Sequence, residues 1–418
     1  MKISIVVIGD ELLLGQVSDT NSGAIARIIA PYGWSVEHVE TVPDSAAAIV
    51  EAVSRAMSRS RIVITTGGLG PTRDDITVKA LMQIFPGRLV ENQQVLQNVK
   101  AMMQRRGLPL NNLTAAQAMV PDCADVIQNR YGTAPILLFH SGDTTVVSMP
   151  GVPAETEPMM RHEVMAALRQ KYSSATHTLH TTLTIQGISE SALAERLAAF
   201  EDALPQWLHL AYLPQASILR LRLDGNHTDG ELLHGTHARA LAQLKQLCAD
   251  VLLYEGEHTP AMQLLNLLKK RGLTLATAES CTGGTIASML TAIPGSSEAY
   301  CGSVVAYCNE AKQSLLGVQA TTLAAHGAVS EPVVKQMAEG ARKALNTDVA
   351  LATSGIAGPG GATADKPVGT VCIAVATPSG TYTSTHHFGG TRTRIIERSA
   401  LTALSLAIRT VPNILQIC

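Results

Sequence analysis

The spacing of apolar and polar positions changes twice along the chain, and each stretch predicts a different kind of unit. Ile3 to Ile8 is almost continuously apolar, as a strand buried on both faces requires. Amphipathic helical patterns follow over Ser22 to Tyr32 and Ala46 to Ser58, and a second apolar run covers Ile62 to Thr66. Strands alternating with helices predict an open, mostly parallel sheet with helices on both faces for residues 1–168. Over 169–255 the period becomes two: His177 to Ile185 and Ser217 to Leu223 alternate like half-exposed strands. Helical stretches at Glu190 to Phe200 and His237 to Leu247, and a last strand at Val251 to Tyr254, complete a small α+β module. With no glycine-rich loop or acidic pair, the module reads as a spacer or oligomerisation unit. The polar segment Glu255 to Pro260 leads into a third unit, 256–418, again of α/β type. The expected fold is α/β, an open sheet domain and a second α/β domain joined through the α+β module.

The third unit carries the sharpest chemistry. Leu273 to Ala276 reads as a short buried strand and Thr285 to Leu290 as a helix, with Thr277-Ala278-Glu279-Ser280-Cys281-Thr282-Gly283-Gly284 between them. A serine at a strand-to-helix junction has free backbone N–H groups beside it that can hold an oxyanion or a phosphate. Tyr307-Cys308-Asn309-Glu310-Ala311-Lys312 supplies a lysine that serves as base for Ser280 if burial lowers its pKa. The plainer alternative is a helix-capping serine and a solvated lysine. Thr353-Ser354-Gly355-Ile356-Ala357-Gly358-Pro359-Gly360-Gly361 tilts the balance, because there a strand, Val349 to Ala352, empties into a loop that a ligand can approach closely. Cys281 is a rival nucleophile, but at the first turn of a helix its side chain is expected to pack against the strand.

The first unit has its own motif, Thr65-Thr66-Gly67-Gly68-Leu69-Gly70-Pro71-Thr72-Arg73-Asp74-Asp75. Glycines after a buried strand allow a tight turn whose N–H groups face a phosphate, and a helix starting near Asp74 adds its positive end. Asp74 and Asp75 are placed to hold a divalent cation bridging to that anion, or else simply occupy the acidic first turn of a helix. Gly9-Asp10-Glu11 and the run from Gly15 to Asn21 follow the first strand, where open parallel sheets bind ligands.

Composition narrows the function classes. A net charge of −2 and 3% aromatic residues give neither the field nor the stacking platforms for nucleic acid, and Arg105-Arg106 and Lys269-Lys270-Arg271 read as solvated helix ends. No apolar run is long enough to cross a bilayer, and the start of the chain reads as a strand rather than a secretory signal. Seven cysteines without a Cys-x-x-Cys spacing predict neither disulfides nor zinc, so a reduced, cytoplasmic protein is expected.

Six ordered segments resemble the nicotinamide-nucleotide amidase domain of the competence-induced protein A (CinA) family: Ala278 to Gly284, Pro294 to Ser297, Tyr307 to Lys312, His326 to Ser330, Ser354 to Gly361 and Lys366 to Thr370. The resemblance implies hydrolysis of nicotinamide mononucleotide (NMN) to nicotinate mononucleotide and ammonia, without a cofactor. Ser280 matches the nucleophile and Lys312 the catalytic lysine, while Tyr307 and Ser354 match hydroxyls lining the site. Substrate contacts are expected from Glu279, Thr282, Gly283 and Gly284, from Gly355, Gly358 and Gly360, and, for the phosphate, from Arg392 and Arg394. Cys308 and Ser303 depart from the family's usual serine and glycine.

Gly132 to Pro135 and Met149 to Glu155, together with the motifs of the first unit, resemble the molybdopterin-binding-like domain that forms the N-terminal half of full-length CinA proteins. That domain is associated with hydrolysis of the pyrophosphate of ADP-ribose using a divalent ion (Mg, Mn or Co). The resemblance implies ligand contacts from Gly67, Gly68, Gly70, Thr72, Asp10 and Asn21 and metal ligands in Asp74 and Asp75. Ile136, where the family usually has glycine, is expected to narrow this site. NMN and ADP-ribose are both fragments of NAD, so the expected role is pyridine-nucleotide recycling by a homodimer acting on small molecules. The alternative is a molybdopterin-type binding module with a non-catalytic, partner-binding C-terminal domain.

Overall fold

A computed structural model describes residues 1–72, 75–172 and 177–413. It divides into two compact units, one of residues 1–179 with 226–235 and one of 180–225 with the remainder of the chain. The first unit contains β1 (Lys2–Ile8), β2 (Ser35–Val42), β3 (Ile62–Thr66), β4 (Leu89–Glu91), β5 (Met119–Pro121), β6 (Ala124–Ile127), β7 (Ile136–Ser141) and β8 (Thr144–Met149). Six of them form one sheet in the order β2-β1-β3-β8-β7-β6, while β4 and β5 pair separately. The neighbours from β2 to β8 are parallel and β7 and β6 run antiparallel, so the expected parallel sheet carries an antiparallel edge.

The unbroken apolar run of β1 follows from burial on both faces. Ile3, Ile5 and Val7 pack with Ile25 and Ile29 of the helix Asn21–Ile29. Val6 and Ile8 pack with Ala52 and Val53 of the helix Ala46–Arg59. Ile136, expected beside the ligand, is fully buried in the first of these cores and narrows nothing.

A second sheet is built from β9 (His177–Ile185), β10 (Leu208–Gln215), β11 (Ile218–His227) and β12 (Leu252–Glu255), in the order β10-β11-β9-β12. Leu183, Leu221 and Leu223 share a core with Leu193 and Leu197 of the helix Glu190–Asp202. β10 escaped the sequence pattern because it has no β-branched residue and contains Pro214; at a sheet edge both are tolerated.

The third sheet comprises β13 (Leu275–Glu279), β14 (Tyr300–Val305), β15 (Val349–Gly355), β16 (Thr370–Thr377) and β17 (Gly380–His387), ordered β14-β13-β15-β16-β17. β13 lies parallel to both its neighbours, and β16 and β17 complete the sheet antiparallel. Leu275 faces a core with Leu264, Leu268 and Leu404, whereas Ala276 and Ala278 face Val333, Val334 and Met337 of the helix Glu331–Ala344. Close packing on that face is severe: a Cβ added to Gly340 would lie 2.0 Å from the Leu316 carbonyl oxygen. Among the described residues no helix is long and apolar enough to cross a membrane.

Candidate active site

The strand expected to stop at Ala276 runs on through Glu279, and this places Ser280 at the carboxyl end of a strand flanked on both sides. Carboxyl ends of parallel strands are where such sheets bind ligands. The Ser280 N–H donates to the Thr353 carbonyl at 3.0 Å, which fixes the residue against β15. Its hydroxyl meets Lys312, on the helix Asn309–Leu316, whose Nζ donates to Ser280 Oγ at 3.1 Å and to the Ala306 carbonyl at 3.0 Å. Lys312 is only 2% exposed. Burial pushes its ammonium below the usual lysine value, against the opposing influence of Cys308, Cys281 and Glu310. No ion pair to a carboxylate offsets that burial among the described residues.

The pair opens into a cavity of 260 Å³ lined also by Tyr307, Ser354, Gly355, Gly358, Gly360 and Arg392. Ser354 is buried and donates to the Ala328 carbonyl at 2.7 Å. Tyr307 is 62% exposed, and its hydroxyl accepts from Arg392 Nη2 at 2.8 Å while Arg392 Nη1 donates to the Gly358 carbonyl at 2.6 Å. The guanidinium thus ties the tyrosine to the glycine loop. Gly358 has φ +78°, and a Cβ there would meet Val368 at 2.7 Å, so the loop needs glycine at this point.

Five expected substrate contacts are elsewhere. Glu279 is fully buried, and its carboxylate accepts from the N–H groups of Gly284 and Ile286 at 3.0 Å and Ala287 at 2.8 Å. The helix start expected to hold an oxyanion is therefore filled by the chain's own carboxylate, which an N-terminal dipole favours. Thr282 is buried with its hydroxyl bonded to that of Thr353 at 2.7 Å. Gly283 and Gly284 form the left-handed turn between strand and helix, at φ +57° and +98°, outside the cavity lining. Arg394 is exposed in the first turn of the helix Arg392–Thr410, and also outside that lining. Cys281 packs with the core and touches the cavity wall, and burial pushes its thiol up to about 12, away from the thiolate a nucleophile needs. Cys308 is exposed just before the lysine helix, and Ser303 on β14 does not line the cavity. Sequence reading missed the carbonyls of Ala306 and Ala328, which any residue type supplies, and Asn309, which sits in a quoted motif without an assigned part.

The first unit holds a larger cleft, of 690 Å³, at the ends of β1 and β3. Gly67, Gly68, Gly70, Asn21 and Asp75 line it, together with Glu11, Asp19, Asp44 and Glu155, and no Lys, Arg or His does so among the described residues. A Cβ on Gly67, at φ +109°, would sit 2.2 Å from the Ile8 carbonyl oxygen. Asn21 is buried and donates to the Gly151 carbonyl at 2.8 Å. Two expectations change. Asp10 and Asp44 each donate a backbone N–H to the other's carboxylate, at 3.0 and 3.3 Å, and Asp10 does not line the cleft. The N–H groups of Gly70 and Thr72, expected to face a phosphate, donate instead to the Asp75 carboxylate at 2.7 and 2.8 Å, and the Thr72 hydroxyl adds a third bond. The next helix begins at Thr77, and Asp74 lies outside the described residues. Burial, followed by repulsion from Asp10, Glu11 and Asp75, raises the Asp44 carboxyl above its usual value against a hydrogen bond from the Asp10 N–H. No group of three or more His, Cys, Asp or Glu among the described residues is arranged to hold a metal.

Residues 257–411 match the family description "CinA C-terminal domain", and residues 4–170 match "Probable molybdopterin binding domain". A CinA-like protein of Flavobacterium psychrophilum is 38% identical over 97% of both chains, and one of Cytophaga hutchinsonii is 40% identical over 97% of both. A solved competence/damage inducible protein, CihA, of Agrobacterium tumefaciens is 41% identical over 36% of this chain and 92% of its own, with a TM-score of 0.35. With an α/β molybdopterin-binding-like domain, a CinA C-terminal domain and full-length relatives at this identity, the chain belongs to the CinA family.

Proposed function

We propose that the C-terminal domain hydrolyses the carboxamide of NMN, releasing ammonia and nicotinate mononucleotide. The observation that carries this reading is the buried Ser280–Lys312 pair, 3.1 Å apart. Burial pushes Lys312 toward its neutral form, the form that can take a proton. In that form the amine lone pair accepts from the Ser280 O–H while an N–H stays on the Ala306 carbonyl. The serine oxygen attacks the amide carbon as its proton passes to Lys312. The ammonium then gives that proton to the departing nitrogen, and ammonia leaves a serine ester. Water enters by the reverse relay: Lys312 takes its proton, hydroxide adds to the ester, and Ser280 Oγ leaves and regains the proton. Arg392, at the mouth, is the donor suited to the nucleotide phosphate. Ammonia release from NMN by the purified protein tests the reading; none from the wild-type protein, in the presence of intact fold, would discard it.

The first-unit cleft supports a second activity, metal-dependent cleavage of ADP-ribose to AMP and ribose 5-phosphate. Five carboxylates line the cleft and no Lys, Arg or His does so among the described residues, a charge that a divalent ion would offset for a bound diphosphate. Among the described residues the cleft offers such an ion net negative charge rather than a formed ligand cluster, Asp75 would have to share its oxygens with Gly70 and Thr72, and the ion's contribution when bound would be to neutralise the diphosphate. Asp75 keeps Gly70 and Thr72 in place, and the glycines let the ligand approach the backbone. The rival reading, a binding module with a non-catalytic C-terminal domain, leaves the buried Ser280–Lys312 pair without a purpose, since burying a lysine amine costs stability even when it is hydrogen-bonded.

A further inference from the structure

Arg392 reaches the cavity from the first residue of its helix, and the turn in front of it has little of its own to hold it. Gly389 and Gly390 stand side by side there, Gly390 at φ +117°, and two glycines in a row give a backbone its widest freedom. Among the described residues one hydrogen bond reaches the pair: Arg398 Nη1 donates to the Gly389 carbonyl at 3.1 Å. Arg398 can do so from further along the same helix because helical side chains lean back toward the N-terminus. Its Nε donates elsewhere, to the carbonyl of Ala216 at 3.0 Å. Ala216 and Ser217 make the turn of the β10–β11 hairpin, whose last pair is Gln215 and Ile218, and the hairpin belongs to the same compact unit as the helix. Arg220 of β11 fastens the hairpin in turn, its Nη2 donating to the His258 carbonyl at 3.3 Å. Both acceptors of Arg398 are backbone carbonyls, so its guanidinium supplies geometry rather than a charge pair.

Resting on the NMN reading of the C-terminal site, we propose that Arg398 is a positioning residue for Arg392: it fastens the glycine turn to the β10–β11 hairpin and so holds the phosphate-binding guanidinium at the mouth of the cavity. Arg392 meets the Gly358 carbonyl and the Tyr307 hydroxyl only if its helix start is placed to let it reach both. With the turn released, that reach has to be restored each time a phosphate binds, and affinity is lost in doing so. The module that reads in sequence as a spacer thereby becomes part of the amidase site.

Calorimetric titration of the full-length protein with NMN, in a Ser280→Ala background so that the ligand is not consumed, tests the proposal without turnover. Arg398→Ala is expected to weaken NMN binding about fivefold, short of the loss of about tenfold expected from removing Arg392 itself. Arg398→Lys, which keeps the charge but lacks the fork that spans two carbonyls, should lose as much as Arg398→Ala. In an Arg392→Ala background neither change at Arg398 should weaken binding further, because the residue acts through Arg392. NMN bound equally well without Arg398, an Arg398→Lys protein that binds like its parent, or the same fivefold loss repeated in the Arg392→Ala background would each overturn the proposal. The first would mean that the turn needs no tie, the second that charge alone matters, and the third that Arg398 only stabilises the domain. Any of these in a protein whose wild-type form releases ammonia from NMN would leave the amidase reading standing. The expected pattern in a protein that releases none would discard that reading and keep the positioning role.

Discussion

The two sites answer the same problem with the same device and opposite results. In each, backbone N–H groups that look in sequence like a cradle for a ligand's phosphate are taken by a carboxylate of the chain: Glu279 at the helix after β13, Asp75 at the loop after β3. Glu279 is fully buried, so its bonds are permanent structure and no ligand competes for them. Asp75 and one of its donors, Gly70, line an open cleft instead. A helix terminus or glycine turn therefore marks an anion site, but the anion can be internal, and only burial tells which. The C-terminal site is small and closes on a buried Ser280–Lys312 pair, while the N-terminal one is wide and acidic.

The sharpest way to break this contrast is at the catalytic pair. Ser280→Ala and Lys312→Met should each lower kcat for ammonia release from NMN by at least about 10³-fold, and the double variant should be no worse, because the two act as one unit. ADP-ribose turnover should be untouched in all three. Loss with Cys281→Ala rather than Ser280→Ala would move the chemistry to the thiol.

The reciprocal experiment concerns Asp75. Chelation and Asp75→Asn should each reduce ADP-ribose cleavage by about 10²-fold or more, the variant retaining an oxygen for one loop N–H but losing the charge. NMN deamidation should proceed unchanged. Cleavage that persists in EDTA would mean that the acidic cleft manages the diphosphate without a metal.

Glu279 sharpens the comparison further, since it is argued to be structure rather than a substrate contact. Glu279→Gln replaces a carboxylate that accepts three N–H bonds with a single carbonyl, so the Ser280 turn should shift. The expected outcome is a fall in kcat of about 10- to 100-fold with KM for NMN within about twofold, as misplacement of a nucleophile costs rate rather than binding. A large rise in KM with kcat preserved would return Glu279 to the substrate.

What was legible in the sequence follows the same line. Apolar runs revealed β1, β3 and β15 because strands buried on both faces leave little choice of residue. Ser280, Lys312, Tyr307 and Ser354 were legible as a set, and the structure brings all four around one cavity. Glu279 was misjudged because a polar residue beside a nucleophile looks available until its burial is known. β10 and the carbonyls of Ala306 and Ala328 left no mark, one being an edge strand with weak strand propensity and the others backbone atoms. Arg392 and Arg394 look equivalent in sequence, two residues apart at a helix start, yet only Arg392 reaches the cavity. Arg392→Ala should raise KM for NMN about tenfold, the worth of a charged hydrogen bond to phosphate, and Arg394→Ala should leave it unchanged. Equal effects would deny that the tie from Arg392 to Tyr307 and Gly358 selects between them.

The smallest effect expected is also the most direct test of the base. Lys312 is pushed by burial below its ordinary value of 10.5, so between its folded pKa and 10.5 the unfolded chain holds a proton that the native protein lacks. Stability contributed by this residue is therefore lowest below the folded pKa, where a buried ammonium must be carried, and rises with pH across that window. Lys312→Met removes the titration. The difference in unfolding free energy between wild type and variant should shift in the wild type's favour as pH rises toward 10, with a limiting slope of about 1.4 kcal/mol per pH unit. The same deprotonation should appear as the alkaline-rising limb of kcat/KM for NMN, with its midpoint below that of a free lysine. A stability difference that does not change with pH would show that Lys312 stays charged on folding, and a charged lysine cannot take the serine's proton.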